Sequence, residues 1–118
     1  MVNKMAEKYW DGENWLDVFE GNETKYYLNG NLHRKDGPAY ILYCNDGFVI
    51  FEEYYFNNKV HRKDGPAILH YTRDKTIRYQ RYFFKGKLII LKNLPFEFPI
   101  DTDEKEFYMN LIYGDNNV

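Results

Sequence analysis

One segment recurs after 28 positions, and it constrains the fold more than any other feature of the chain. Tyr26 to Ala39 reads YYLNGNLHRKDGPA, and Tyr54 to Ala67 reads YYFNNKVHRKDGPA. A second step of 28 reaches YFFKGKL at Tyr82–Leu88, which keeps the first half of the pattern; the HRKDGPA half then gives way to Ile89-Ile90-Leu91-Lys92-Asn93-Leu94-Pro95. A fixed period of this size is the mark of a repeat architecture, in which each unit buries its apolar face only by stacking on its neighbours.

Each unit reads as a β-hairpin. Aromatic residues make up 19% of the chain, led by twelve tyrosines, and Tyr and Phe pack well on a pleated surface. The spacing predicts strands over 24–28, 39–43, 48–56, 67–72, 76–84 and 87–91. Asn29-Gly30, Asn57-Asn58 and Lys85-Gly86 supply turn residues that tolerate positive φ. Asn45-Asp46-Gly47 and Arg73-Asp74-Lys75 turn the opposite ends. Pro38 and Pro66 cannot sit centrally in a ladder, so each DGP punctuates a return strand. Tyr26, Tyr54 and Tyr82 then align on one face, and Tyr27, Tyr55 and Phe83 on the other. The alternation of Val49, Phe51, Tyr55, Ile77, Tyr79 and Phe83 predicts that the odd-numbered face is the core. Lys25, Glu53 and Arg81, 28 apart in turn, also lie on that face and predict a charge ladder at the sheet margin.

The paired LHRKDGPA and VHRKDGPA segments, each behind Tyr-Tyr and a tight turn, resemble divergent MORN repeats, whose units are β-hairpins stacked into a long sheet. The HR-x-DGPA variant is similar to repeats in proteins of large tailed bacteriophages and giant viruses. The resemblance covers residues 24–91, in two good copies and one decayed copy. It implies a mainly β fold: an antiparallel meander of about three MORN-like β-hairpin repeats with one C-terminal α-helix.

The flanks differ in character. Residues 1–23 hold Trp10 and Trp15 around Asp11-Gly12-Glu13-Asn14, which predicts a divergent N-terminal hairpin; a short helix from Asn14 to Phe19 competes with it. Residues 93–118 form an extended, proline-containing linker and then an acidic helix, capped by Asp101 or Thr102, running to Tyr113 and ended by Gly114. The whole is read as a single domain, with residues 24–92 as the repeat sheet. Net charge runs −4 over residues 1–24, +7 over 25–92 and −5 over 93–118. The single cysteine, Cys44, allows no internal disulfide, and the chain begins without the apolar run of a signal peptide. The expectation is a soluble protein of the host-cell cytoplasm, with no role for the Asn22-Glu23-Thr24 sequon.

Three constellations bear on function. In the first, His33, Arg34, Asp36, Gly37 and Pro38, repeated as His61, Arg62, Asp64, Gly65 and Pro66, read as a structural repeat motif. Asp fixes the turn, Arg pairs with Asp, and His bonds a neighbouring strand. The second is a basic, aromatic set, Arg73, Arg78, Arg81, Lys85, Lys87 and Tyr82, which offers phosphate contacts and base stacking. Its competing reading is lysines that protect sheet edges. The third is the acidic set Asp101, Asp103, Glu104 and Glu106 at the helix start. Four carboxylates there repel one another, so they predict a docking surface for a basic protein, alongside a capping role for the helix. No nucleotide-binding loop or serine elbow occurs. Cys44 has no assigned base, and His33 and His61 sit too far apart for one metal ion. The chain is therefore read as a non-catalytic binding protein without cofactor. It is expected to be phage-encoded and to engage a host or viral protein, one version being inhibition of a nucleic-acid-targeting host defence such as CRISPR. Nucleotide or nucleic-acid binding on the basic, aromatic sheet is the alternative. Either a monomer or an edge-paired homodimer fits.

Overall fold

The computed structural model describes residues 4–90 and 102–113. It is a mainly β protein with one C-terminal helix. The strands are β1 (Lys4–Trp10), β2 (Trp15–Glu20), β3 (Glu23–Leu28), β4 (Asn31–Leu32), β5 (Tyr40–Tyr43), β6 (Val49–Glu53), β7 (Tyr55–Phe56), β8 (Lys59–Val60), β9 (Ile68–Tyr71), β10 (Ile77–Phe84) and β11 (Lys87–Ile89); the helix is α1 (Thr102–Tyr113). The main sheet runs β1-β2-β3-β5-β6-β9-β10-β11, a meander of antiparallel neighbours, with β4 paired to β3 off that path. β7 and β8 form their own small ladder.

Residues 4–20 form the expected hairpin rather than the competing helix: Trp10 lies opposite Trp15 across β1 and β2, and their rings are 5.4 Å apart. Asp11 makes the turn. Its Oδ1 accepts the amides of Glu13 at 2.9 Å and Asn14 at 2.8 Å. The predicted linker over 93–101, the end of the last predicted strand at Leu91, Lys92, Asp101 and the tail from Gly114 lie outside the described residues.

The long strands do double duty. The first part of β3 pairs with β5, and its last two residues pair with β4. One period later this strand divides into β6 and β7 at Tyr54, where the ladder is interrupted. The three tight turns share one geometry, with positive φ at both central residues: Asn29 and Gly30, Asn57 and Asn58, Lys85 and Gly86. Both angles positive is the hairpin turn whose twist matches that of its strands. Successive hairpins are then tied at the same points. Arg34 N donates to Tyr55 O and Arg62 N to Phe83 O, each at 3.2 Å; Asn58 N donates to Leu32 O and Gly86 N to Val60 O, each at 2.8 Å.

The core is not on the odd-numbered face. Register shifts insert one extra residue, Ile50 in β6 and Arg78 in β10, 28 positions apart. A bulge moves every following side chain to the other face. Val49 and Phe51 therefore part company, as do Ile77 and Tyr79. Ile77 is 51% exposed and Tyr79 38%, whereas Leu16, Val18, Thr24 and Leu69 are buried. The row Lys25, Tyr40, Glu53, Ile68, Arg81 does run straight across the opposite face. Its ion pairing differs from the predicted ladder, however: Lys25 reaches Glu23, at 3.4 Å.

Helix α1 ends the stack. Stepping 28 from His61 lands on Ile89, so the decayed repeat replaces a polar ring with an aliphatic side chain. Ile89 and Phe84 pack with Phe107 and Tyr108 in a buried cluster, joined by Tyr82 and Leu111. Phe107 is fully buried, with its ring 4.9 Å from that of Phe84. Acidic residues sit in the first turn of α1, as the helix dipole favours.

Candidate functional site: the groove between the repeat turns

In each HRKDGPA segment the arginine folds back onto its own turn. Arg34 Nε donates to Asp36 Oδ1 at 2.8 Å, and Arg62 Nε to Asp64 Oδ1 at 3.0 Å. The same guanidiniums donate to Pro38 O at 3.2 Å and Pro66 O at 3.0 Å. Each lies over the first tyrosine of its own repeat, Arg34 at 4.3 Å from the Tyr26 ring centre and Arg62 at 4.1 Å from Tyr54. Ala39 and Ala67 are fully buried, because the chain after each proline crosses directly onto the sheet.

The histidines clamp one repeat to the next. His33 Nδ1 accepts the amide of Asn57 at 3.1 Å, and His61 Nδ1 accepts that of Lys85 at 2.8 Å. Both donors open a positive-φ turn. The rings form a column, with His33 against Phe56 at 4.3 Å and His61 against Phe84 at 4.8 Å. Burial holds the His61 pKa below its ordinary value, and the Lys85 and Lys63 ammonium groups push the same way against Asp103. Unfolded His61 therefore binds a proton more readily than folded His61. Its stabilisation is present above about pH 6.5 and is lost as pH falls through the lower folded value. Denaturant melts of wild type and His61→Gln should thus converge as pH drops below about 6.5. Curves that stay parallel would show that His61 does not carry the effect.

Between the two DGP turns lies a groove of about 710 Å³. Arg34, Lys35, Asp36 and Gly37 line one side, and Tyr54, Arg62, Lys63 and Asp64 the other; Phe56, Asn57, Lys59, His61 and Lys85 also contribute, with Glu13 and Asp103 from the flanking elements. Charge in it is largely matched. Besides the two Arg–Asp pairs, Lys35 meets Glu13 at 3.9 Å, and Lys63 meets Glu106 at 2.9 Å and Asp103 at 3.8 Å. Lys59 and Lys85 form no ion pair among the described residues.

The two surfaces singled out in the sequence come out differently. The basic set is scattered. Arg73 pairs with Asp46 at 2.8 Å at the far end of the strands, and Arg78 is the bulge residue. Arg81 lies over Tyr79 on the opposite face from the buried row. Lys87 is exposed, and Tyr82 packs toward α1. Only Lys85 reaches the groove. In the acidic set, Asp103 and Glu106 turn back onto Lys63, Glu104 is half-buried, and Asp101 is outside the described residues. An amide variant of Asp103, Glu104 and Glu106 would therefore remove Lys63's partners as well as any steering charge. Comparison with known protein families, curated proteins and solved structures finds no match.

Several groove residues escaped the sequence reading. Lys35 and Lys63 were inside the motif, and Tyr54, Phe56, Asn57 and Lys59 inside the repeat. The usable signal was the offset of 28 itself, which brings equal turns face to face. Tyr9 and Glu13 precede the repeats and carry no such signal. Among the described residues, no helix is long and apolar enough to cross a membrane, and no group of three or more His, Cys, Asp or Glu is placed to hold a metal.

Proposed function

We propose that this is a non-catalytic binding protein whose groove between the HRKDGP turns takes a segment of another polypeptide. The observation that carries the reading is the self-matched charge of the groove. Arg34, Arg62, Lys35 and Lys63 each have a carboxylate partner, which suits a mixed polar chain better than a row of phosphates. The motif's histidines and arginines are engaged by backbone atoms and rings, which supports a scaffold role for them over catalysis. The resemblance to bacteriophage and giant-virus repeats supports a host or viral protein as the partner, in the host cytoplasm, with a component of a nucleic-acid-targeting defence as one such class. Lys59 and Lys85 beside Phe56 favour the second reading, a nucleotide or single strand.

A photo-crosslinking phenylalanine at Lys59, compared with one at Asp46 on the far turn, separates the readings. Position 59 should yield a polypeptide adduct in host lysate that survives nuclease and tolerates rising salt. Adducts that vanish with nuclease, with binding that falls steeply with salt, support the nucleic-acid reading instead. Adducts at position 46 alone would remove the groove from consideration.

A further inference from the structure

The first repeat carries an occupant of its own. Tyr9, from the N-terminal hairpin, lies against the Arg34–Asp36 pair. Its hydroxyl donates to Asp36 Oδ2 at 2.6 Å, and Arg34 Nη2 donates to that hydroxyl at 3.3 Å. The Arg34 guanidinium is 4.8 Å from the Tyr9 ring centre, and Tyr9 meets the Tyr26 ring edge-on at 5.3 Å. A phenol is thus held by a cation at its face, a carboxylate at its hydroxyl and a second ring at its edge.

The second repeat presents the same three groups. Arg62 lies over Tyr54 and pairs with Asp64, and all three line the groove. No side chain among the described residues makes Tyr9's contacts there. The Arg34 and Asp36 side chains are 15% and 40% exposed, but those of Arg62 and Asp64 are 25% and 76%. Asp64 Oδ2 and Arg62 Nη2, the counterparts of the two atoms that hold the Tyr9 hydroxyl, have no partner among the described residues.

The geometry points to a tyrosine-recognition seat at Tyr54, Arg62 and Asp64, filled by a tyrosine side chain of the partner polypeptide. This rests on the groove being the binding surface, and it supplies the specificity of that surface. A phenylalanine would keep the ring contacts and lose the hydrogen bond to a carboxylate. Phosphorylated tyrosine would set its negative charge against Asp64, so the seat discriminates against it.

The probe is N-acetyltyrosine amide, titrated into the full chain while the Arg side-chain Nε–H resonances are followed. A saturable shift is expected at Arg62, with Arg34 unmoved because Tyr9 already covers it. N-acetylphenylalanine amide, or the tyrosine probe on Asp64→Asn, should bind at least about tenfold more weakly, the loss expected for a hydrogen bond to a charged group. Thermal melting of Asp64→Asn should match wild type, since Asp64 is largely exposed. No saturable shift, or an equal shift in Asp64→Asn, overturns the inference. The crosslink at position 59 keeps the two ideas apart. A captured polypeptide that binds Asp64→Asn equally well leaves the groove standing and removes the tyrosine seat. Loss of capture on Asp64→Asn, and on changing the partner's crosslinked tyrosine to phenylalanine, supports both.

Discussion

Phe107→Ala should destabilise the protein by about 3–5 kcal/mol, the range for removing a fully buried aromatic ring. Phe107 is the largest fully buried side chain among the described residues. It holds α1 on the last hairpin through Phe84 and Ile89. Nothing else in α1 replaces it: Tyr108 and Leu111 touch the same cluster, while Met109 and Ile112 are exposed at 38% and 42%. The ion pairs from Lys63 to Asp103 and Glu106 are at the surface and contribute at most about 1 kcal/mol. Without the ring, only Tyr108 and Leu111 hold α1 in the cluster, and a cavity opens at the apolar end of the stack. Thermal unfolding followed by circular dichroism should show a melting point lower by more than about 10 °C and a weaker helical signal. Met109→Ala should stay within about 0.5 kcal/mol of wild type. A Phe107→Ala variant that melts like wild type would show that the helix is not what closes the sheet.

The second large effect is at the turn glycines, and its cause lies in a side chain rather than in the backbone. A Cβ on Gly37 would stand 2.8 Å from the Arg34 Cζ, and one on Gly65 would stand 2.9 Å from the Arg62 Cζ. Neither glycine has positive φ. Glycine instead leaves room for the guanidinium to lie flat against the turn. Gly37→Val should push Arg34 off Asp36, Pro38 O and the Tyr26 ring, at a cost of about 2–3 kcal/mol. Gly65→Val should cost somewhat less, because no second tyrosine braces Arg62. Lys63→Ala loses only surface ion pairs and should cost at most about 1 kcal/mol. Lys63 is nevertheless not simply solvated, since it links the second turn to α1. A double-mutant cycle decides the cause. In an Arg34→Ala background, Gly37→Ala should become neutral or stabilising by up to about 1 kcal/mol, because alanine restricts the unfolded chain. Equal damage in both backgrounds would assign the effect to the backbone.

What could be read without coordinates was whatever is local or strictly periodic. Asn29-Gly30, Asn57-Asn58 and Lys85-Gly86 specify their turns through the φ each residue tolerates. Pro38 and Pro66 mark where the ladder must break. The 28-residue offset aligns the tyrosines, and the apolar stripe after Asp101 announces the terminal helix. These signals act within a few residues, so they survive in the order of amino acids. The short strands β4 and β8 were missed because two residues carry no alternation. The core face was misassigned because one extra residue in β6 and in β10 reverses it, and the alternation of apolar residues does not announce a bulge. The placement of Tyr9 on Arg34, 25 residues away, and the folding back of Asp103 and Glu106 onto Lys63 were likewise settled only by tertiary packing. The same holds for the groove. Residue order alone thus specifies a stack of similar hairpins with a different element at each end. The tertiary structure decided that the first turn is covered by a tyrosine of its own chain and the second is open, because contacts across so many residues depend on where each end of the stack comes to rest.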